Sequence, residues 1–174
     1  MFFSANPARV ITGSFLGVII TGTLLLMLPL SAKNGAVTNF FDALFTATSA
    51  TCVTGLIVVD TYTHWTFFGQ GVILSLIQIG GLGLVTLTLF FNLLIRRKLG
   101  LRTLQLAQES TSASNFEDTP RLLRGIVGIS LIVEAIGAVL LLPAFVPKYG
   151  MEGIFISVFT SVSAFCNAGF DLLG

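Results

Sequence analysis

The chain contains FTATSATCVTG at residues 45–55 and FTSVSAFCNAG at residues 159–169, two related stretches that lie 114 positions apart. Six of the eleven paired residues are identical, whereas chance pairing of two apolar-rich stretches gives roughly one match. Both copies end on a glycine, at Gly55 and Gly169. This recurrence indicates one structural device that the chain uses twice.

The composition is that of an integral membrane protein. Of the 174 residues, 54% are hydrophobic and only 10% are charged, and the mean hydropathy is +0.94. Soluble domains carry about 25% charged residues, so this chain lacks the polar surface that keeps a monomer in solution. The net charge of +1, with no basic run among aromatic residues, does not indicate nucleic-acid binding. The expected partner is the lipid bilayer.

The first predicted span covers residues 10–30, which carry no charge. As a helix they extend about 31 Å, enough to cross the hydrocarbon core. A cleaved signal peptide is the alternative, because Leu30-Ser31-Ala32 resembles a weak cleavage site. Against it, the end of this run recurs inside the chain, where Pro29 matches Pro143 at the same offset of 114.

A short apolar helix is predicted over residues 38–50; it includes the start of the first repeated stretch and ends before residues 51–55. Asn39 followed by Asp42 resembles a capping box at its start. Some 13 residues are too few to cross a bilayer and suit a re-entrant segment. After it, Asp60, Tyr62, His64 and Trp65 are expected at the outer interface, where aromatic side chains favour the headgroup level.

The second predicted span, residues 67–95, contains QIGGLG at residues 78–83. These glycines indicate close helix packing, or room for a neighbouring pore helix or loop, and the two interpretations are compatible. Gln78 needs a hydrogen-bond partner inside the protein. The two cysteines, Cys52 and Cys166, are expected to be small apolar filler in the two stretches and not a disulfide.

The third predicted span covers residues 125–146, with Thr119 as N-cap and Pro120 in the first helical position. A polar turn at residues 147–150 leads into a second short helix over residues 151–164. Glu134 is the one acidic residue inside a span. It is either an intramembrane functional acid that coordinates an ion, or a packed, hydrogen-bonded or protonated group.

Basic residues predict the orientation. Seven lie on one side of the predicted spans and two on the other, a distribution that places the amino terminus and residues 96–124 in the cytoplasm. Both short helices then enter from outside, and the two repeats are parallel. The two sets are Arg9, Arg96, Arg97, Lys98, Arg102, Arg121 and Arg124 against Lys33 and Lys148.

The predicted fold class is an all-α polytopic membrane protein, with parallel repeats of span, re-entrant pore helix and span as in channel-like transporters. One and a half repeats are present. The first occupies residues 1–95, a cytoplasmic loop follows at 96–119, and residues 120–174 hold the first span and pore helix of the second, incomplete repeat.

The two repeated stretches are interpreted as an ion-selectivity filter. A short helix entering from outside aims the partial negative charge of its carboxyl end at the bilayer midplane, and the following backbone can offer carbonyls in place of a cation's water. The alternative is two buried hairpins that only pack. The predicted filter residues are Thr51, Cys52, Val53, Thr54, Gly55, Phe165, Cys166, Asn167, Ala168 and Gly169. The carbonyls predicted to coordinate the transported cation are those of Thr51, Cys52, Val53, Thr54, Cys166, Asn167 and Ala168.

At these residues the sequence resembles the Trk/Ktr/HKT superfamily of potassium transporters, most of all the bacterial KtrB and TrkH membrane subunits. The resemblance rests on ATSATCVTGL at residues 47–56, QIGGLG at 78–83 and SAFCNAGF at 163–170. It implies K⁺ uptake through a pore built from four such repeats in the cell membrane. It also implies that Gly55 favours K⁺, because a serine at that place accompanies Na⁺ preference in related plant proteins.

The resemblance further implies a homodimer of the full-length subunit on a cytoplasmic ring of nucleotide-binding regulatory subunits. The sequence holds two of the four filter segments, and on its own we expect it not to conduct. The alternatives are a transporter that binds another solute at the two re-entrant segments, and a non-conducting membrane subunit. An enzyme is not expected, because the sequence has no nucleophile–base pair, metal cluster or phosphate loop, and no cofactor is expected beyond K⁺ as the transported ion.

Overall fold

Helices make up most of the chain that this computed structural model describes, namely residues 7–83 and 119–173. Extended pairing within these ranges is limited to an isolated antiparallel bridge between Ala32 and Trp65. The described chain is therefore all-helical, as the sequence predicts. Its helices are α1 (Pro7–Leu26), α2 (Phe40–Thr51), α3 (Thr61–His64), α4 (Phe67–Leu82), α5 (Thr119–Tyr149) and α6 (Glu152–Phe165).

Helix α1 ends at Leu26, four residues before the predicted end of the first span. Pro29 explains the early end, because its ring disfavours helical backbone at Leu28. The Ser31 hydroxyl then donates a hydrogen bond to the Leu25 carbonyl at 2.6 Å, which satisfies one of the carbonyls at the helix end.

Helix α2 begins within two residues of its predicted start. The Asn39 side chain accepts a hydrogen bond from the Phe41 amide at 3.1 Å, so Asn39 is the N-cap that the sequence indicates. The helix packs against α1 and α4. Its buried face is made of small residues, among them Ala43, Ala47 and Ala50, which let the neighbouring helices approach closely.

Helices α5 and α6 form a tight antiparallel hairpin. The predicted turn over residues 147–150 is wrong in extent, since α5 continues to Tyr149 and only Gly150, with φ +61°, and Met151 separate it from α6. Gly153 at the start of α6 lies against the end of α5, where an added Cβ would be 2.6 Å from the Phe145 carbonyl oxygen. The part of α5 from Arg124 to Tyr149 is long and apolar enough to cross a membrane.

The Trp65 side chain does not face outward, although the sequence predicts it at the outer interface. Its side chain is fully buried in the apolar cluster formed by α1, α2, α4 and α6, and its backbone pairs with Ala32. The indole fills the space beside Gly69, where an added Cβ would lie 3.1 Å from the Trp65 ring. Tertiary packing therefore determines the environment of this side chain.

Two sequence predictions extend beyond the described residues. Helix α4 follows the predicted second span from Phe67 to Leu82, and the continuation to residue 95 lies outside the described ranges. The same holds for almost all of the predicted loop at residues 96–119 and for residues 1–6.

Candidate functional site: two matched helix ends

Helices α2 and α6 end in the same hydrogen-bonded turn, known as a Schellman motif. At the end of α2, the Val53 amide donates to the Ala50 carbonyl at 3.3 Å and the Thr54 amide donates to the Ser49 carbonyl at 3.0 Å. These two bonds define the motif, in which the last carbonyls of a helix are satisfied by the amides that follow it.

The end of α6 repeats both bonds at an offset of 114. The Asn167 amide donates to the Ala164 carbonyl at 3.1 Å, and the Ala168 amide donates to the Ser163 carbonyl at 2.7 Å. The repeated sequence therefore has a repeated backbone conformation, residue for residue.

Backbone dihedrals match in the same way. Val53 and Asn167 have φ of 58° and 57°, and they are the two non-glycine residues with positive φ in the described chain. Gly55 and Gly169 follow with φ of 71° and 73°. Asparagine and glycine tolerate this region, whereas a β-branched valine there is an outlier. Such strain is concentrated at functional sites in proteins, which makes Val53 a marker for one.

Each turn contains a side-chain hydrogen bond from one of two matching serines, Ser49 in the first and Ser163 in the second. The Ser49 and Thr54 hydroxyls lie 2.9 Å apart in a hydrogen bond, and the Ser163 hydroxyl donates to the Phe170 carbonyl at 2.6 Å. The sequence analysis did not single out these serines. Their identity at the offset of 114 was the available signal, because a short polar residue near a helix end often bonds to backbone.

The two turns touch each other directly. A Cβ on Gly55 would lie 2.6 Å from the Ala168 carbonyl oxygen, and a Cβ on Gly169 would lie 3.4 Å from the Gly55 Cα. The Ala168 carbonyl is so close that Gly55 requires the absence of a side chain as well as the positive φ, whereas at Gly169 the positive φ is the constraint. The two stretches therefore lie side by side.

Helix α4 packs against both turns. A Cβ on Gly80 would collide with the Thr51 carbonyl, and a Cβ on Gly81 would collide with the Cys166 sulfur. The glycines thus make room for a neighbouring loop, which is one of the two interpretations of QIGGLG given by the sequence. Cys52 and Cys166 are both free thiols.

The predicted filter residues differ in their environment. Thr51 and Ala168 are buried, and the Thr51 hydroxyl donates to the Ala47 carbonyl at 2.7 Å within its own helix. Gly55 is half-buried. Val53 and Cys166 are also half-buried, while Cys52, Thr54, Phe165, Asn167 and Gly169 are exposed.

Glu134 lies on α5, and its side chain is buried. The Gln78 side-chain amide donates to both of its carboxyl oxygens, at 2.8 and 3.1 Å. Gln78 therefore has the internal partner that its position in an apolar helix requires.

Charged groups collect at the end of the molecule where α2 and α6 begin. The Lys33 ammonium lies 4.3 Å from the centre of the Tyr62 ring, and the Tyr62 hydroxyl donates to Glu152 at 3.3 Å. The nearby Glu152 carboxylate raises the pKa of Tyr62. Hydrogen bonds from Thr63 to the Asp60 carboxylate lower the pKa of Asp60, which caps α3.

Comparison with known proteins identifies the family. The family model described as "TrkH: Cation transport protein" matches residues 3–174. The chain is 40% identical over 170 residues to the potassium/sodium uptake protein NtpJ of Enterococcus hirae, covering 97% of this chain and 38% of the relative. It is 44% identical over 168 residues to the Ktr system potassium uptake protein B of Bacillus subtilis, covering 96% and 37% respectively.

A further relative is the Ktr system potassium uptake protein D of Bacillus subtilis, which is 33% identical over 171 residues, or 97% of this chain and 38% of the relative. The chain thus spans somewhat more than a third of the length of the curated relatives it matches. With a family model that covers nearly all of its residues, the chain belongs to the TrkH family of cation transport proteins.

Proposed function

We propose that this chain is part of the pore-forming subunit of a potassium-uptake system, with residues 51–55 and 165–169 as two segments of a backbone-carbonyl selectivity filter. The observation that carries the proposal is the pair of matched Schellman turns, each followed by a glycine with positive φ. Two relatives are named potassium uptake proteins and a third is named a potassium/sodium uptake protein.

The turns leave carbonyls free for an ion. Their amides bond back to the helix, and no described residue donates a hydrogen bond to the carbonyls of residues 51–54 or 166–168. Carbonyls in this state can replace the hydration shell of a cation. The proposed ligands are the carbonyls of Thr51, Cys52, Val53, Thr54, Cys166, Asn167 and Ala168. Of these, the Thr51 carbonyl packs against Gly80 and the Ala168 carbonyl packs against Gly55.

Direct contact between Gly55 and Gly169 supports adjacent places for the two segments around a pore axis. An ion would pass along one side of the pair and not between them, because the glycine backbones are in van der Waals contact. The rest of the ring would come from other filter segments. Carbonyl cages suit a large, easily dehydrated monovalent ion, whereas Mg²⁺ gives up its water reluctantly.

The helix lengths support re-entrant pore helices within the repeat plan given by the sequence. Helix α2 has 12 residues and α6 has 14, lengths of about 18 and 21 Å that fall short of the hydrocarbon thickness. In this proposal residues 1–95 form the first repeat, 96–119 a cytoplasmic loop and 120–174 the start of the second. The amino terminus is cytoplasmic.

The proposed assembly rests on the family resemblance, and the relatives named as Ktr system proteins support a system with further components. The subunit would dimerise and dock a cytoplasmic nucleotide-binding ring at its basic loop, residues 96–124. K⁺ would enter down its electrochemical gradient, which contributes about 2.3 kcal/mol per charge for each 100 mV of membrane potential.

The experiment is complementation in cells that lack K⁺ uptake. Residues 3–174 replace the matching segment of the Bacillus subtilis uptake protein B, and growth at low K⁺ is compared with variants Gly55→Asp and Gly169→Asp. Gly35→Asp is the control, because Gly35 also has positive φ but an added Cβ there meets nothing within 4 Å.

We expect growth for the parent chimaera and the control, and loss of growth for both filter variants. Growth of the filter variants at low K⁺ would contradict the filter assignment. Uptake of another solute in place of Rb⁺ would favour the solute-transporter alternative, and a membrane-inserted chimaera without any uptake would favour a non-conducting subunit.

A further inference from the structure

The hydrogen-bonded pair of Gln78 and Glu134 joins α4 to α5 behind the two turns. Glu134 is 5% exposed, and both of its carboxyl oxygens lie within hydrogen-bond distance of the Gln78 amide nitrogen. A buried carboxyl that loses such a partner is costly, so the pair strongly favours one relative position of the two helices.

The segment of α4 that follows Gln78 is the one that touches the turns. Gly80 lies against the Thr51 carbonyl and Gly81 lies against Cys166. Gln78 and Gly81 are three residues apart, so they lie on one face of α4. Any shift of Gln78 along or around the helix axis therefore moves the surface on which both turns rest.

Helix α6 connects α5 to the second turn. The Ser161 hydroxyl donates to the backbone carbonyl of Glu134 at 2.7 Å, and it packs against Gly137 of α5. Cys166, at the end of α6, then packs on Gly81. The contacts form a closed circuit from α4 to α5, to α6, to the second turn and back to α4.

We propose that Gln78 and Glu134 are positioning residues that set the spacing of the two turns, and through it the preference among monovalent cations. The proposal rests on the filter function proposed above. In it Glu134 acts through its hydrogen bond to Gln78 and not as a ligand of the transported ion, because both carboxyl oxygens face the amide.

The test uses the Bacillus subtilis chimaera and measures Rb⁺ uptake, its inhibition by Na⁺, and the amount of protein in the membrane. The central variant exchanges the partners, combining Gln78→Glu with Glu134→Gln, which keeps an acid–amide pair. The single variants Gln78→Leu and Glu134→Leu remove it. The control is Ser75→Ala, since the Ser75 hydroxyl bonds within α4 to the Gly71 carbonyl at 2.8 Å.

We expect the Rb⁺ preference over Na⁺ to fall roughly 2- to 30-fold in the leucine variants, the range expected when a coupling network is broken. Glu134→Gln retains an acceptor oxygen, so it should stay within about twofold of the parent. The exchange variant should recover the parent preference, and Ser75→Ala should not change it. A role limited to folding would lower the amount of protein without changing the preference.

The proposal would be overturned by an unchanged preference in the leucine variants, by an altered preference in an exchange variant present at the parent level, or by failure of the exchange variant to reach the membrane. A loss of preference in Glu134→Gln would assign the role to the negative charge and also overturn it. These results can be distinguished from a wrong filter assignment, because in that case Rb⁺ uptake would persist in the Gly55→Asp variant.

Discussion

Val53 has the backbone conformation least suited to its side chain. Its φ of 58° places a β-branched residue in the left-handed region, at an energetic cost of about 1–2 kcal/mol. The matching position in the second turn is Asn167, a residue that tolerates this conformation. Since the two turns have the same hydrogen bonds, the first turn has a strain that the second does not.

Replacing Val53 with Asn should relieve this strain. We expect Val53→Asn to keep the thermal stability of the chimaera within about 1 kcal/mol of the parent, because backbone relief offsets lost apolar burial. Val59→Asn is the control, since Val59 is also half-buried against the core but has negative φ. It should lower stability by about 1–2 kcal/mol. If Val53→Asn and Val59→Asn lower the stability equally in thermal unfolding, Val53 is not strained.

At this scale the sequence predicts some positions and not others. Gly55 and Gly169 were identifiable because glycine at the end of a repeated stretch indicates unusual φ. Positive φ could also have been predicted for Asn167, because asparagine tolerates that conformation. Val53 was not, since no local preference of valine indicates positive φ, and only the comparison with its partner 114 residues later reveals it. The burial of Trp65 was missed because it depends on tertiary packing.

At the scale of elements, α2 and α6 share their carboxyl ends but not their starts. Asn39 caps α2 through its side chain, whereas α6 follows α5 after Gly150 with no side-chain cap. Helix α5 also continues through Pro143, although α1 ends before the matching Pro29. The extensive packing of α5 on α6 compensates for the missing proline hydrogen bond. The sequence predicted where these helices lie, but their exact ends depend on such contacts.

Two glycines of α4 allow a matched test of its contact with the first turn. An added Cβ at Gly71 meets nothing within 4 Å, so Gly71→Ala should leave uptake unchanged and favour the helix by up to about 1 kcal/mol. The same substitution at Gly80 collides with the Thr51 carbonyl. We expect Gly80→Ala to lower Rb⁺ uptake at least tenfold at equal protein level. Equal uptake by the two variants would show that α4 does not support the turn.

At the scale of the whole molecule, residues 7–83 and 119–173 are all-helical, and the chain belongs to a family of cation transport proteins. The surface of α5 is rich in exposed Leu, Ile and Val side chains, as expected for a helix that faces lipid or further helices. Membrane insertion could be predicted from composition, because a chain with only 10% charged residues lacks the polar surface of a soluble protein. The contact between the two turns did not follow, since it depends on how two hairpins pack.

The distribution of basic residues predicts which side of the membrane each end faces. Cysteine introduced at Lys33 or Lys148 should react with an impermeant maleimide added to intact cells, in excess of the labelling of the parent thiols. Cysteine at Arg124 should react only after permeabilisation. All three side chains are exposed, so access within the fold is equivalent. Labelling of Arg124→Cys from outside would reverse the proposed orientation.

The central claim is that the two matched turns form part of an ion filter, and the most direct test adds one methyl group. The measurement is initial Rb⁺ influx into cells carrying the chimaera with Gly55→Ala or Gly35→Ala. Both substitutions place alanine at positive φ, at 71° and 67°, but only the first adds a methyl group 2.6 Å from the Ala168 carbonyl oxygen. The account predicts that Gly55→Ala abolishes Rb⁺ influx or its preference over Na⁺, while Gly35→Ala retains both. Equal influx and equal preference in the two variants would contradict it.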